Sequence, residues 1–313
     1  MENESKFPQK ESLSDALNKY KNNTNKVNDE ISDKHYEKNE QEAVSSKMPN
    51  TNVMNQNDYE NSMTKEVDPD LITSYEIVKL PSEGKFYSNG LSEVKVEYMT
   101  SKDEDVLTSV SLIEKGEVFN ELLKRKIKTP GVNVNELLDG DRSAIILFLR
   151  TSSYGPYYDV RVPHPETGKP FETKVDLTKL KYKEMTKEPD EEGLFQVQLP
   201  MRKKTIKFRL LNHSEIIKLQ KKAEELQNEF NEEYSQFNTM KIKAHVVSID
   251  GKTDRSYINK FIDAMPALDS FTIRKEILNV QPEIDMNYEF ETKEGIKFNA
   301  PISIGIDFFF PSI

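Results

Sequence analysis

The side chains of this chain that could do chemistry are four histidines and 54 acidic residues, because cysteine is missing. His35, His164, His213 and His245 lie in unrelated contexts, and no two of them have the spacing of a metal-binding pair. The carboxylates mostly follow helix faces, where charge keeps a surface solvated, and no acid stands beside a base in a catalytic pattern. A glycine-rich phosphate loop and a nucleophile elbow are also missing. We therefore predict no catalytic residue, no cofactor and no bound metal.

Composition narrows the classes of protein further. The 313 residues carry a formal net charge of −10, which argues against non-specific binding to nucleic acid or anionic lipid, since both need clustered Lys and Arg. The missing cysteines exclude disulfides and thiolate metal ligands. No apolar run approaches the roughly 20 residues that cross a bilayer, and the N-terminus lacks a signal-peptide core. We expect a soluble protein that stays in the compartment where it is made, with no membrane partner.

The elements that organise the chain occur twice. In residues 75–107, alternating apolar residues flank an Asn89-Gly90 turn, which predicts a β-hairpin followed by a capped helix start. The same order returns in the second part of the chain, where Leu199-Pro200 repeats Leu80-Pro81 and Asn212–Glu215 repeats the helix cap. We infer two related halves.

Each half continues with helices and ends in a closing hairpin. In the first half, strands are predicted at 157–162 and 171–177 around a Pro- and Gly-containing turn. In the second half, the helix opened by Asp269 matches the Asp141 helix of the first, and a final hairpin follows. The predicted fold class is therefore α+β. The predicted divisions are a tail (1–72), a first half (73–185) and a second half (186–313).

A long helix, predicted over residues 213–238, belongs to the second half alone. Its apolar residues recur at spacings of three and four, which is close to a heptad seam over roughly three heptads. The seam residues are Ile216, Leu219, Ala223, Leu226, Phe230, Tyr234 and Phe237. So narrow a stripe packs against one other helix, either from the same chain or from a partner. Homo-oligomerisation through residues 216–237 is therefore one of two open interpretations.

Residues 1–72 are predicted to be a disordered tail. They are rich in Asn, Lys, Glu and Ser, and their apolar residues are too sparse to bury a core. Within the tail, Leu13, Ala16, Leu17 and Tyr20 share one helical face. This pattern is either chance or a short helix that folds on meeting a partner.

The final strand is predicted to run from Phe298 to Phe310. Ile302, Ile304 and Ile306 alternate with polar residues and should face the core. Three consecutive phenylalanines then break the alternation, which places Phe309 on the face opposite Phe308 and Phe310. Either another element of the chain covers Phe309, or it forms an apolar docking patch with Pro311.

A series of short motifs runs through the chain after the tail. The motifs are Leu80–Tyr87, Met99–Glu104, Leu137–Arg142, Leu149-Arg150 with Tyr154-Gly155, Val175–Leu177, Ile249–Lys252 and Asp307–Pro311. In this order and spacing they resemble the T4-like bacteriophage baseplate protein family, which includes baseplate hub assembly proteins. The resemblance covers about residues 75–313.

The resemblance implies a non-enzymatic role in the contractile tail of a phage. The protein would be a baseplate hub component or a hub assembly factor that docks onto other baseplate or tail proteins. It would act in the host cytoplasm during assembly, and its retention in the virion is open. The candidate docking residues are Phe86, Tyr87, Tyr154, Phe308, Phe309, Phe310 and Pro311, with Leu13, Leu17 and Tyr20 in the tail.

The closing hairpins depart from the family pattern. Family members often carry a Cys-x-x-Cys pair in each closing hairpin, and the two pairs resemble a zinc ribbon. Here the turns at residues 162–169 and 291–295 lack every thiolate, and a histidine with scattered carboxylates is a poor substitute for a closed tetrahedral site. We therefore expect zinc-ribbon-like hairpins without metal, held by Pro and Gly turn preferences and by strand pairing.

Two other classes of function are alternatives. Ribbon-type hairpins also suit a nucleic-acid-binding module that has lost its metal. Such a module needs a basic stripe with exposed aromatics, and Arg202-Lys203-Lys204 is only a short basic run. A metal-free hydrolase is the third option, although no group of residues supports it. Our main prediction excludes nucleic acid as a partner.

Overall fold

A computed structural model describes residues 74–230, 234–292, 294–302 and 306–309. Within these ranges the fold class is α+β, as predicted, with eight α-helices and small antiparallel sheets. The predicted tail, with Leu13, Leu17 and Tyr20, lies outside the described residues, and so do Phe310 and Pro311.

The first half opens with the predicted hairpin and closes with another. Its strands are β1 (Tyr75–Lys79), β2 (Glu93–Glu97), β3 (Tyr157–Pro163), β4 (Pro170–Asp176) and β5 (Tyr182–Lys183). Its helices are α1 (Ser101–Leu107), α2 (Val110–Glu114), α3 (Val118–Lys126) and α4 (Asp139–Tyr154). In β1 and β2, Val78 lies opposite Val94, and both are buried because alternate residues of a strand share a face.

Helix α1 begins at the predicted capping box, which Thr100 and Asp103 form. The Asp103 carboxylate accepts a hydrogen bond from the Thr100 amide at 2.8 Å, completing the capping box. The same buried carboxylate contacts Lys126 Nζ at 2.8 Å and Arg125 Nε at 2.9 Å, which joins α1 to α3. Despite burial, these partners lower the pKa of Asp103 to about 2.

The second half also opens with a hairpin followed by helices, but a strand lies between its second and third helices. Its strands are β6 (Phe195–Gln198), β7 (Thr205–Phe208), β8 (Val246–Ile249), β9 (Glu283–Ile284), β10 (Asn287–Glu291) and β11 (Lys297–Pro301). Its helices are α5 (His213–Glu229), α6 (Phe237–His245), α7 (Arg255–Asp263) and α8 (Ala267–Val280). Strands β6, β7 and β8 form one antiparallel sheet, β10 pairs with β11, and β9 pairs with β5 of the first half.

The predicted long helix at 213–238 is wrong in its extent. Helix α5 ends at Glu229, and α6 begins at Phe237 and packs back against α5. Asn and aromatic residues near this point have low helix propensity, which favours the end of the helix. The apolar spacing nevertheless continues along the sequence. Ser235 marks the new start, because its hydroxyl accepts a hydrogen bond from the Phe237 amide at 3.3 Å.

The predicted last strand is also too long. Strand β11 ends at Pro301, opposite Asn287, the first residue of β10, so the register of the two strands ends there. Residues Ile306–Phe309 form a 3₁₀ helix instead. Consecutive side chains of a 3₁₀ helix diverge by about 120°, which lets Phe308 and Phe309 both enter the core.

The two closing hairpins pack against each other through aromatic side chains. The rings of Phe171 on β4 and Phe298 on β11 lie 6.3 Å apart, and Phe298 stacks on Phe290 at 5.5 Å. The Tyr288 hydroxyl accepts a hydrogen bond from the Asp176 amide at 3.4 Å. Aromatic packing therefore joins the hairpins in addition to the expected strand pairing.

Each half contributes to the core of the other. Phe290, Ile302, Phe308 and Phe309 belong to the apolar cluster built by β1–β4, α1, α3 and α4. Leu138, at the start of α4, belongs to the cluster around β6–β8, α7 and α8. The boundary at residues 185/186 and the duplication of the halves remain predictions.

Candidate docking surfaces

Phe86 and Tyr87, two of the predicted docking residues, follow the turn after β1 and are half-buried. The ring of Phe86 lies 5.9 Å from that of Phe195 in the second half. The Tyr87 hydroxyl donates to Asp141 Oδ2 at 2.5 Å and accepts from the Leu138 amide at 2.9 Å. Both rings therefore make intramolecular contacts that position the β1–β2 turn.

Asp141 is the centre of this arrangement. Its Oδ1 accepts from the Ser82 amide at 2.9 Å, and the residue is fully buried. Burial raises the pKa of Asp141, against the opposing effect of its hydrogen bonds with Tyr87 and Ser82. Burial also raises the pKa of Tyr87, and the nearby Asp141 charge adds to that effect.

A second buried carboxylate makes the same kind of contact in the second half. Asp269, in the first turn of α8, accepts from the amides of Met201 at 2.8 Å and Arg202 at 3.0 Å, directly after Leu199-Pro200. Ser82, which binds Asp141, directly follows Leu80-Pro81. The sequence shows the repeated Leu-Pro and the two aspartates, but only the structure shows that each pair meets. In these contacts Asp141 corresponds to Asp269, and Ser82 corresponds to Met201.

Arg150, near the end of α4, is a buried cation bound by carbonyl oxygens. It donates to the carbonyls of Phe308 at 2.5 Å, Gly155 at 2.8 Å and Tyr157 at 3.0 Å. Its guanidinium also lies 5.6 Å from the ring centre of Tyr154 and 5.7 Å from that of Phe308. Burial lowers the pKa of Arg150. Two predicted docking residues, Tyr154 and Phe308, thus contact Arg150 within the chain. The hydrogen bonds of Arg150 to Phe308, Gly155 and Tyr157 are called the latch below.

Of the two interpretations left open for Phe309, the structure supports the one in which other elements of the chain cover it. Phe309 is 0% exposed, and its ring lies 5.9 Å from Phe119 and 5.8 Å from Phe308. The strand pattern failed because the residue lies in a 3₁₀ helix. We therefore do not include Phe309 in a docking surface.

The bend between α5 and α6 exposes two aromatic side chains. Phe230 is 63% exposed and Tyr234 is 68% exposed. The earlier part of the predicted seam is covered: Ala223 is buried and Leu219 is half-buried on the helix that packs against α6. The first part of the seam thus packs within the chain, whereas Phe230 and Tyr234 are exposed to solvent.

A shallow groove beside β1 was not anticipated from the sequence. It has a volume of about 430 Å³ and lies between β1, α4 and the segment that leads to β5. Ile77, 55% exposed, lies at its rim, and the Tyr182 hydroxyl donates to the Lys79 carbonyl at 2.8 Å. Ile77 faces away from the buried Val78, because neighbouring residues of a strand point to opposite faces.

His213 and two residues of the basic run, Arg202 and Lys204, have structural partners. His213 is half-buried, and its Nδ1 lies 2.7 Å from Asp139 Oδ1. Arg202 donates to the Ala264 carbonyl, and Lys204 pairs with Asp250 at 2.7 Å. In the part of the chain that the structure describes, no group of three or more His, Asp or Glu side chains could hold a metal ion.

Comparison with known families completes this description. A family model for the T4 bacteriophage base plate protein matches residues 72–301, most of the chain. The chain belongs to this T4 baseplate family. The resemblance inferred from the motifs is therefore confirmed. No curated protein and no solved structure is significantly similar to the chain.

Membership in the T4 baseplate family indicates a structural protein of a phage baseplate rather than an enzyme, with other baseplate proteins as partners. The family match includes Phe86, Tyr87 and Tyr154 and ends before Phe308. Among the described helices, none is long and apolar enough to cross a membrane.

Proposed function

We propose that this baseplate protein is a hub component or a hub assembly factor that acts by docking onto other baseplate or tail proteins. The observation that carries the proposal is the family match over residues 72–301. Its working place would be the host cytoplasm during assembly, with or without later retention in the virion.

The exposed aromatics at the α5–α6 bend supply a candidate contact for this docking. Aromatic side chains that become buried in a partner often contribute about 2 kcal/mol or more to binding. Phe230 and Tyr234 already lie outside the core of their own chain, so their burial in a partner would cost no internal packing. The partner is either another baseplate protein or a second copy of the chain.

Removal of the gene from the phage tests the function itself. We expect infected cells without the protein to accumulate unattached tail parts and few infectious particles, and a supplied copy to restore assembly. Normal baseplates without the protein would refute the proposal. Mass spectrometry of purified particles beside infected-cell lysate then separates the two roles: a hub component is present in both samples, an assembly factor only in the lysate.

The double substitution Phe230→Ala with Tyr234→Ala tests the docking contact. We expect fewer assembled baseplates at an unchanged melting temperature, because both side chains are exposed. Tyr157→Ala is the matched control, since this tyrosine is 61% exposed on a different element. Light scattering of the purified variants shows whether the contact is with a second copy.

A further inference from the structure

The outer face of α8 is apolar and basic. Leu268 is 51% exposed, and Phe271 and Leu278 are each 54% exposed. With Lys275 they follow a 3, 4, 3 spacing, which places them on one helix face. Arg274 is exposed beside them, and within the described residues neither Arg274 nor Lys275 makes an ion pair.

No carboxylate of α8 balances these two cations on its exposed face. Asp269 is buried and holds the amides of Met201 and Arg202. Glu276 is half-buried and pairs with Lys187. In a chain with a formal net charge of −10, this face is therefore a local positive surface.

The matching face of α4 is covered. With Asp141 aligned on Asp269, Leu268, Phe271 and Leu278 correspond to Gly140, Ser143 and Arg150. Those three α4 residues all meet the segment that follows α8. A Cβ atom on Gly140 would lie 1.9 Å from the Pro282 carbonyl oxygen, Ser143 lines a cavity with Glu283 and Ile284, and Arg150 binds the Phe308 carbonyl.

The segment that covers α4 combines acidic and apolar residues. Glu283, Ile284 and Asp285 follow one another at the point where it crosses the helix. Helix α8 presents the corresponding positions to solvent, and these positions carry large apolar side chains instead of glycine, serine and arginine.

We infer that the exposed face of α8 docks an acidic segment with apolar side chains from another baseplate protein, an inference that rests on the proposed docking function. Opposite charge on the partner would neutralise Arg274 and Lys275 and would guide its approach. A second copy of α8 is a poor occupant, because it would bring two sets of unpaired cations together. The match with α4 supports the same conclusion, since its cover supplies Glu283 and Asp285.

Photo-crosslinking in infected cells tests this inference on the full chain. Phe271 is replaced by p-benzoylphenylalanine, and the crosslinked peptides are identified by mass spectrometry. We expect a crosslink to a segment of another baseplate protein in which carboxylates flank apolar residues. A crosslink to a second copy of the chain, a crosslink to nucleic acid, or no crosslink at all would overturn the inference.

Charge reversal tests the electrostatic part. Arg274→Glu with Lys275→Glu should reduce both the crosslink and the yield of assembled baseplates by about tenfold or more. The melting temperature should stay unchanged, because both side chains are exposed. Lys221→Glu with Lys222→Glu is the matched control, since these are also adjacent exposed lysines on a helix, and it should leave both yields unchanged.

The outcomes separate this inference from the proposed function. If assembly needs the protein but proceeds normally with the reversed charges, the docking face is wrong and the function stands. If assembly proceeds without the gene, the proposed function fails first. If the reversed-charge protein has a lowered melting temperature, Phe271→Ser is tested in its place. We expect the same loss of baseplates with Phe271→Ser, and full assembly would overturn the inference.

Discussion

His245, at the end of α6, should make the protein sensitive to mild acid. Its imidazole is buried, with Nδ1 2.6 Å from the Arg209 carbonyl oxygen. Nε2 has no hydrogen-bond partner among the described residues. Burial penalises the charged ring, and the positive charges of Lys241 and Arg209 add to this effect, so the pKa falls from 6.5 to about 4.

The sign and size of the effect follow from proton binding. In the unfolded chain the ring takes up a proton near its ordinary pKa of 6.5, whereas in the folded protein it stays neutral down to about 4. Across this window the unfolded state binds more protons, so the free energy of unfolding falls as pH falls, by about 1.4 kcal/mol per pH unit. Over the whole window His245 should cost about 3 kcal/mol of stability.

Urea unfolding of the wild type and of His245→Asn measures this loss. Asparagine keeps an N–H that can donate to the Arg209 carbonyl, but it does not titrate. At about pH 7.5 the wild type should be the more stable protein, and by about pH 4.5 its advantage should shrink by about 3 kcal/mol. Other groups titrate in both proteins, so only the difference between them reports on His245. If the two proteins lose stability in parallel, the ring is not held neutral by the fold.

Four further outcomes are expected. Arg150→Lys should lower the free energy of unfolding by about 3 kcal/mol, because an ammonium cannot reach three carbonyls as a guanidinium does; an unchanged urea midpoint would contradict the latch. Gly140→Ala should cost about 2 kcal/mol or more by forcing Pro282 away, while Ser143→Ala on the same helix should cost much less by the same measurement. Tyr87→Phe should cost about 2 kcal/mol by leaving a buried amide unpaired, and equal stability would show that this hydrogen bond adds nothing. Elemental analysis should find well under one zinc per chain, and chelator should not shift the melting temperature; stoichiometric zinc would refute this.

Signals that depend on chain neighbours predicted most of the local structure. The alternation around Val78 and Val94, the capping boxes at Thr100 and Asn212, and the helix that contains Asp269 all appear in the structure. Each signal acts within a few residues. A helix cap depends on a side chain that accepts a hydrogen bond from a nearby amide, and apolar spacing depends on residues that share one face of a helix or strand. The order of the motifs also identified the family.

Two predicted elements, the long helix and the last strand, are shorter in the structure than in the prediction. In both, the apolar spacing continues along the sequence after the element has ended. The seam continues through Phe230 and Tyr234, but the helix ends at Glu229. The alternation continues past Pro301, but the register of β11 with β10 ends there. Periodicity describes which faces residues would share in a regular element. It does not say where the element stops, because that depends on the packing of other elements.

By itself, then, the sequence determined the family, the α+β class, the opening hairpins and the helix caps at Thr100 and Asn212. Tertiary structure decided which side chains are free to dock. Arg150 binds the Phe308 carbonyl 158 residues away, and Asp141 binds the Tyr87 hydroxyl 54 residues away, so neither partner can be found by spacing along the chain. The contacts of Phe86, Tyr87, Tyr154 and Phe309 within the chain also depend on distant elements, since burial depends on every element that covers a side chain. The face of α8 is exposed for the same reason: within the described residues, no segment covers it as Pro282 and Glu283 cover α4.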